Sequence, residues 1–352
     1  QPGLSVDGAL AAGIPGAPAA LVHIANKYGN LSLATTLAPA IRAARQGFKV
    51  TGRYQRKAEF RLAALRKSPA AAGIFLHDGE VPPLGHVIKQ MDLANTLQAI
   101  AAKGRAGFYQ GEIADKLLAA SQAAGGIWQQ ADFDSYTIVE RKPISGVYRD
   151  YKITSVPPPS SGGVALLSIL NILEGYQLSA LSPVMQKHLV IEAMRRAYRD
   201  RAEFLGDSDF VEVPLLRLSS KRYAQSLRGT IRRDKATPSS RLQAVASPPG
   251  GNHTTHFSIL DKQGNRVAAT LSINYPFGSG FVAPGTGVLL NDEMDDFSAK
   301  PGVPNAYGLV GAEANAIQPG KRPLSSMSPT FIESRNRIAI VGTPGGSRII
   351  TM

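Results

Sequence analysis

Two adjacent threonines lie between two histidines in the string GGNHTTHFSIL, which covers residues 250–260. His253 and His256 are three positions apart, a spacing that puts two imidazoles on opposite faces of a strand. The first strand after them supplies no carboxylate to complete a ligand set, so the sequence predicts no metal site here. A plain Thr-rich strand start is an alternative that β-propensity alone would explain.

A third interpretation is that one threonine becomes the first residue of a new chain after cleavage. The segment Ala236–Asn252 is rich in Pro, Ser, Gly and Ala, which predicts an exposed linker. An N-terminal Thr carries nucleophile and base on one residue, because its free α-amine has a pKa of roughly 7.7–8. The string GTPGGSRI, residues 342–349, offers consecutive glycine N–H groups for an oxyanion. The residues alone leave both the cleavage and the plain strand open.

Helical periodicity dominates the first 236 residues. Apolar residues recur at spacings of three and four, and glycines follow, in PGAPAALVHIANKYG, LAPAIRAARQGF, MDLANTLQAIAAKG and IADKLLAASQAAGG. Another helix is predicted after the PPPSSGG turn. A long one is predicted in VMQKHLVIEAMRRAYRDRAEFLG, with the arginines mostly opposite an apolar face. That face consists of Leu189, Ala193, Ala197 and Phe204.

The periodicity changes to two after the linker. TTHFSILD and RVAATLSINY alternate around the turn KQGN, and PTFIE and IAIVG alternate around SRNR, so two β-hairpins are predicted. One register of the first hairpin places Thr254 opposite Ser272, with Asn274 on the same face. The neighbouring register places Thr255 opposite Ser272 instead. The choice decides which hydroxyl Ser272 contacts.

The composition restricts the class of protein. With 352 residues and 43% hydrophobic residues, the chain has enough apolar side chains for a large core, and no apolar run approaches the 20 residues of a membrane span. Because the chain has no cysteine, disulfides and thiol nucleophiles are excluded. Nearly all of the net charge of +13 comes from residues before Thr254, where we expect it on solvated helical surfaces and not on a nucleic-acid site. These basic residues include Arg53, Arg56, Lys57, Arg61, Arg195, Arg196, Arg199 and Arg201.

Strings along the whole chain resemble the γ-glutamyltransferases, the glutathione hydrolases of the N-terminal nucleophile superfamily. They include GIPGAPAALVHIANKYG, PPPSSGG, AYRDRAEFLGDSDFVEVP, TTHFSILDKQGN, LLNDEMDDFSAKPGVPNAYGLVG, RPLSSMSPT and GTPGGSRIIT. The resemblance implies an α+β fold, the αββα four-layer sandwich. It also implies self-cleavage of the His253/Thr254 bond. Residues 1–253 would form the large-subunit part and residues 254–352 the small-subunit part of a heterodimer, and together they would form one domain, truncated at both ends relative to the family.

The resemblance assigns the catalytic residues by position. Thr254 would be the nucleophile of both self-cleavage and catalysis, and Thr255 its neighbour in the strand. Ser272 stands where the family commonly has a Thr that hydrogen-bonds the amine of the nucleophile, and the substitution keeps the hydroxyl. Gly345 and Gly346 match the oxyanion-hole glycines.

The resemblance also assigns the groups that bind substrate. The amino group of a γ-glutamyl substrate needs acceptors and negative charge, and the matching positions are Asn274, Glu293 and Asp296. By itself, NDEMDD would be interpreted as a solvated acidic turn. Ser325 and Ser326 match the hydroxyls that bind the α-carboxylate, and Tyr307 lies in a segment that resembles the lid loop. The carboxylate-binding arginine of the family lies upstream of any segment matched here, so we expect binding to need a longer protein.

The implied activity is γ-glutamyl hydrolysis or transfer through an ester of Thr254, with glutathione as donor and water, amino acids or peptides as acceptors. No cofactor is expected, and the family implies a periplasmic or secreted location. A cephalosporin (glutaryl) acylase on the same scaffold is the alternative, although the groups that would bind an α-amino group favour glutamyl over glutaryl. A non-catalytic basic envelope protein is the third hypothesis.

Overall fold

The computed structural model describes residues 3–242, 254–298 and 311–351. Two expected site positions, His253 and Tyr307, lie outside the described residues, as does most of the predicted linker. The chain forms two compact units. Unit 1 comprises Gln1–Glu140 and Ile273–Met294, and unit 2 comprises Arg141–Ser272 and Asp295–Met352. Both units therefore include residues from each side of the expected cleavage point, and the boundary at residue 253 stays a prediction.

Unit 1 is mainly helical, and its core is aromatic. Phe108, Tyr109, Trp128 and Phe133 are buried together with Leu117. The four helices predicted from periodicity in this part of the chain are confirmed, and two short strands pair antiparallel. The helices are α1 (Ala17–Tyr28), α2 (Leu33–Gln46), α3 (Gly52–Lys67), α4 (Pro69–Phe75), α5 (Met91–Lys103), α6 (Ala106–Tyr109), α7 (Gly111–Ala123) and α8 (Gln130–Ser135), and the strands are β1 (Phe48–Lys49) and β2 (Val87–Ile88).

Unit 2 contains the two helices predicted around the PPPSSGG turn and in the arginine-rich segment. Helix α10 (Pro183–Phe204) begins after Ser182, whose hydroxyl accepts a hydrogen bond from the Met185 amide, and Pro183 occupies its first turn. Its buried residues Leu189 and Ala193 pack with Ile172 of the preceding helix. The helices are α9 (Gly162–Leu173), α10 (Pro183–Phe204), α11 (Leu215–Leu218) and α12 (Lys221–Gly229).

The strands of unit 2 form a four-stranded antiparallel sheet and a separate hairpin. The sheet has the order β3 (Ile144–Tyr148), β4 (Tyr151–Ser155), β7 (Thr330–Glu333), β8 (Ile338–Val341), and the hairpin joins β5 (Thr255–Leu260) to β6 (Arg266–Leu271). Both predicted hairpins are confirmed. Strands β3 and β4 lie in the part that periodicity indicated as mainly helical, so that prediction missed a hairpin. Both β5 and β6 contact β8. Strand β8 leads to residues 342–346, which we call the glycine loop, so the hairpin lies beside the strand that precedes this loop.

The prediction that the basic residues form solvated helical faces is wrong for three arginines. Arg61, Arg196 and Arg201 are at most 7% exposed. Each guanidinium has internal acceptors: Arg61 donates to the carbonyl of Gly278 at 2.7 Å, and Arg196 Nη1 lies 2.6 Å from Glu192 Oε2. A cation is tolerated inside a protein when it is paired and hydrogen-bonded. Arg196 is paired with Glu192 and Arg61 with Asp7 at 2.8 Å, whereas Arg201 donates to neutral hydroxyls.

A buried polar network on α10 holds the start of the predicted linker, so the expected exposure is wrong for that part, where Leu242 is also buried. Glu192 lies within 2.7 Å of both Arg195 and Arg196, and the hydroxyl of Thr237 donates to Glu192 Oε2 at 2.5 Å. Arg195 also donates to the carbonyl of Thr237 at 2.7 Å. Burial raises the pKa of Glu192, but the hydrogen bonds from Thr237, Arg196 and Arg195 outweigh it and lower the pKa to about 2. The chain is thus fixed to α10 up to Thr237.

Candidate active site

Thr254 is the described residue that directly precedes β5. It is 7% exposed, whereas Thr255 is exposed. The hairpin pairs Thr255 with Leu271, so Thr254 lies opposite Ser272, and its Oγ1 donates a long hydrogen bond of 3.4 Å to Ser272 Oγ. The first of the two predicted registers is therefore confirmed. It brings the expected nucleophile and its expected hydroxyl partner together.

His256 connects this strand to its neighbours. Its Nδ1 lies 2.8 Å from Thr270 Oγ1 and its Nε2 lies 3.0 Å from Ser258 Oγ. Ser258 in turn donates to the carbonyl of Ile340 in β8 at 3.1 Å. Burial lowers the pKa of His256, which favours the neutral imidazole in these hydrogen bonds. In the described ranges, no group of three His, Cys, Asp or Glu side chains is placed to hold a metal ion.

The glycine loop starts where the ring of His256 lies. A Cβ atom on Gly342 would be 2.1 Å from His256 Cε1, so only a residue without a side chain fits beside the ring. The loop continues through Gly345 and Gly346, whose φ angles are +154° and +58°. A 3₁₀ helix follows over Gly346–Thr351. Its Ile350 is buried among residues of α9 and α10. The backbone of the loop is thus fixed at both ends, and the assignment of its amides to an oxyanion stays a prediction.

The serine pair of RPLSSMSPT is held against the PPPSSGG turn. The Ser325 amide donates to the carbonyl of Pro159 at 2.9 Å. Both the amide and the hydroxyl of Ser161 donate to the Ser325 carbonyl, at 2.8 and 2.6 Å. A Cβ atom on Gly162 would be 2.4 Å from the carbonyl oxygen of Met327, so the two segments touch at the helix start. Ser326 is buried in this arrangement.

Arg201 is the site residue that the sequence did not reveal. Its Nε donates to Ser161 Oγ at 2.9 Å and its Nη2 donates to Ser326 Oγ at 3.1 Å. Burial lowers the pKa of Arg201, and attraction to Tyr198 and Asp296 opposes that shift. A signal for its burial was present, because Arg201 continues the spacing of four that runs along the apolar face of α10 through residues 189, 193 and 197.

Asp296 ends a short 3₁₀ helix over Glu293–Asp296. Asn315 donates to the carbonyl of Asp296 at 2.7 Å, and Asn315 Oδ1 accepts from the amide of Leu324 at 3.0 Å. One buried amide side chain therefore joins the Asp296 segment to the residue just before the serine pair. Within unit 2, the structure brings together Asp296, the serine pair and Arg201.

Asn274 and Glu293 belong to unit 1, and the structure corrects the expectation for Asn274. Strand β6 ends at Leu271 and Asn274 has a φ of +66°, so the strand alternation that would put Asn274 on the face of Ser272 does not continue. Its Nδ2 donates to the carbonyl of Asp292 at 3.0 Å. The carboxylate of Asp292 accepts from the next amide, that of Tyr275, at 2.9 Å. Asp292 is fully buried, so NDEMDD is not simply a solvated acidic turn.

Comparison with known proteins identifies the family. The family model described as gamma-glutamyltranspeptidase matches residues 1–352. The chain belongs to the γ-glutamyltranspeptidase family. A glutathione hydrolase proenzyme from Pseudomonas sp. (strain A14) is 47% identical over 353 residues, which cover 99% of this chain and 61% of the relative. The glutathione hydrolase proenzyme of Escherichia coli (strain K12) is 44% identical over 347 residues, which cover 97% of this chain and 60% of the relative.

The fold of the chain was also compared with solved structures. The crystal structure of cephalosporin acylase from Bacillus halodurans matches with a TM-score of 0.80 and 30% identity, covering 97% of this chain and 61% of that one. The predicted fold, that of the N-terminal nucleophile hydrolases, is confirmed. The chain spans about three fifths of the length of these relatives. Over the part that the structure describes, no helix is both long and apolar enough to cross a membrane.

Proposed function

We propose that the protein is a self-processing γ-glutamyl hydrolase and transferase whose nucleophile is Thr254. The observation that carries the proposal is the pairing at the start of β5. A buried Thr254 lies opposite Ser272 and hydrogen-bonds to it, in a chain that belongs to the γ-glutamyltranspeptidase family. Thr255 is exposed and lies opposite Leu271, so it has no comparable partner in the hairpin.

Self-cleavage would come first. Thr254 Oγ1 attacks the carbonyl carbon of His253, the peptide C–N bond breaks as the Thr254 nitrogen leaves protonated, and an ester joins His253 to the hydroxyl. Water then hydrolyses the ester, which releases the carboxyl group of His253 and restores the Thr254 hydroxyl beside its already free α-amine. The products are two chains, residues 1–253 and 254–352 of this sequence, that stay together as a heterodimer. The hydrogen bond to Ser272 restricts the rotation of the attacking hydroxyl before cleavage.

The same hydroxyl would then act on substrate. The free amine of Thr254 takes the proton from Oγ1 as it attacks the γ-carbonyl, because an α-amine titrates at roughly pH 7.7–8. The amides of Gly345 and Gly346 stabilise the oxyanion, and the leaving amine takes the proton. The resulting γ-glutamyl ester is released by water or by the amino group of an amino acid or peptide. Ser272 positions the amine and hydroxyl of Thr254 throughout.

Two different sets of residues would bind the two charged groups on the α-carbon of the glutamyl group. Ser325 and Ser326 would donate to its α-carboxylate, and Asn274, Glu293 and Asp296 would accept from its α-ammonium. Carboxylates beside a cation and hydroxyls beside an anion give charge-assisted hydrogen bonds. Glutathione carries this γ-glutamyl group and is the proposed donor.

Two further parts of the proposal come from the family resemblance. Tyr307 would belong to a lid loop over the substrate, and the protein would act in the periplasm or outside the cell. Cell fractionation tests the location, since the processed chains would be recovered with periplasmic or secreted markers. Recovery with cytoplasmic markers would contradict it.

Glutaryl acylase activity is the second candidate, and one observation favours it: the match to the cephalosporin acylase from Bacillus halodurans covers nearly the whole chain. A glutaryl side chain lacks the α-ammonium. An acylase would therefore have no use for an acidic acceptor at Asp296, whose charge interacts with that of Arg201. The γ-glutamyl proposal accounts for this acid.

Release of p-nitroaniline from two anilides distinguishes the candidates. The full protein should hydrolyse γ-glutamyl-p-nitroanilide with a kcat/KM at least tenfold above that for glutaryl-p-nitroanilide, and glycylglycine should raise the rate by acting as acceptor. The Thr254→Ala variant, purified in the same way, is the control for contaminating hydrolases. A preference for the glutaryl anilide would support the acylase, and no release from either anilide would refute both.

A further inference from the structure

The guanidinium of Arg201 contacts one member of the serine pair, Ser326, and also Ser161 of the PPPSSGG turn. It is 6% exposed, and its Nε and Nη2 donate to two neutral hydroxyls, those of Ser161 and Ser326. Arginine stays protonated in proteins and has only donors. A fixed positive charge therefore lies next to the hydroxyls of this segment, on a helix that is anchored in the core of unit 2.

The direction of these hydrogen bonds determines whether each serine hydroxyl can still donate its proton to a ligand. A serine hydroxyl has one proton and two lone pairs. Ser161 uses both functions, because it accepts from Arg201 and donates to the Ser325 carbonyl. Ser326 accepts from Arg201 through one lone pair, so its proton must point away from the guanidinium. A hydroxyl held in this way keeps its proton available to donate to an anion, and the adjacent cation polarises it.

The same cation also interacts with Asp296, a second expected site residue. Attraction to Asp296 contributes to the pKa of Arg201, so the two charges are close enough to interact. Asn315 joins the backbone of Asp296 to that of Leu324, beside the serine pair. Asp296 stays the expected acceptor for the α-ammonium, so the role argued for Arg201 is confined to the hydroxyl donors.

We propose that Arg201 is a positioning residue for carboxylate recognition: through Ser326 it directs a hydroxyl proton toward the α-carboxylate of the substrate and supplies the buried positive charge behind it. The inference rests on the proposed γ-glutamyl activity. It concerns donors that carry an α-carboxylate, and it leaves the attack by Thr254 unaltered. A loss of Arg201 should therefore appear in KM and not in kcat.

The test compares two donors that differ only in that carboxylate, γ-glutamyl-p-nitroanilide and 4-aminobutyryl-p-nitroanilide. In the full protein, Arg201→Met should raise the KM for the glutamyl donor by roughly 10- to 100-fold, the loss expected for one hydrogen bond to a charged group. The KM for the 4-aminobutyryl donor and both kcat values should change by less than threefold. Arg201→Lys keeps the positive charge but lacks the planar guanidinium. Its KM for the glutamyl donor should therefore lie between those of the wild type and of Arg201→Met.

Two controls separate this role from a structural one. Arg199→Met on the same helix removes a guanidinium that bonds Asp200 and Tyr223, and it should leave both KM values unchanged. Mass spectrometry should show complete cleavage in all three variants. If Arg201→Met is not cleaved, Arg201→Lys carries the test alone, with a smaller rise in KM confined to the glutamyl donor.

Equal changes for both donors, or no change for either, would overturn the inference. A wild-type protein that releases nothing from γ-glutamyl-p-nitroanilide would instead refute the proposed function. The two failures are thus told apart by the wild-type measurement, which is made alongside the variants.

Discussion

Gly342→Ala tests whether His256 and the glycine loop form one unit. The added Cβ would lie 2.1 Å from Cε1 and 2.2 Å from Nδ1 of His256, distances that real Cβ atoms do not adopt, so the ring must move. The ring is held by hydrogen bonds to Thr270 and Ser258. Losing both costs about 1 kcal/mol each, and an off-rotamer ring costs about 1 kcal/mol more. We expect the free energy of unfolding to fall by about 2–3 kcal/mol, which is within the usual range for overpacking.

A double-mutant cycle isolates this contact. In a His256→Ala background the ring is absent, so Gly342→Ala should cost less than about 0.5 kcal/mol, and the coupling energy should be about 2 kcal/mol. Urea unfolding followed by circular dichroism gives the four stabilities. The kcat for γ-glutamyl-p-nitroanilide should fall with Gly342→Ala, because the displaced loop carries Gly345 and Gly346. Additive effects in the cycle would refute the packing of His256 against Gly342.

Two other predictions concern single hydrogen-bonded groups. Ser272→Ala should lower kcat about tenfold at nearly constant KM, because one hydrogen bond to Thr254 is lost, whereas Ser272→Thr should keep most of the rate; steady-state kinetics with the glutamyl anilide checks both. Glu192→Gln should destabilise the protein by about 3 kcal/mol in urea unfolding, since Arg196 and Thr237 lose their buried anionic partner. The Glu192 pKa is depressed to about 2, so its contribution to stability is complete above pH 4.5 and disappears as the pH falls toward 2. The stability of Glu192→Gln should lack that dependence on pH. A loss of stability at low pH that parallels the wild type would contradict the prediction.

The hairpins after the linker were predictable because each alternates clearly, but the register of the first was not. From the sequence alone, its turn is compatible with two registers between the strands. In the structure, the carboxylate of Asp261 accepts from the amides of Gln263 and Asn265, which fixes the turn and with it the pairing of Thr254 with Ser272. The choice between the two threonines therefore depended on a local side-chain interaction that periodicity does not report.

The hairpin of β3 and β4 escaped prediction because its turn has an unusual sequence. The two strands are joined at Arg149 and Asp150, and Arg149 adopts a φ of +53°, a conformation that the common Asn-Gly signal would have indicated. Asn274 is a different case. Pro276 follows it closely in the sequence, and proline within a strand pattern already predicts an early end to the strand.

The buried arginines show the limit of interpreting charge by residue type. Arg201 follows the apolar stripe of α10 at the correct spacing, but its charge favoured a solvated position. The hydroxyls of Ser161 and Ser326 come from segments more than 100 residues apart in the sequence, and only the fold brings them to the guanidinium. Long-range polar partners of this kind are not encoded in any local pattern.

Cleavage of the chain before Thr254 is the central claim, and mass spectrometry of the purified full protein measures it directly. The account predicts two polypeptides, the smaller beginning Thr-Thr-His-Phe, a single polypeptide for Thr254→Ala, and normal cleavage for Thr255→Ala. An uncut wild-type chain, a smaller polypeptide that begins at another residue, or loss of cleavage with Thr255→Ala alone would contradict it.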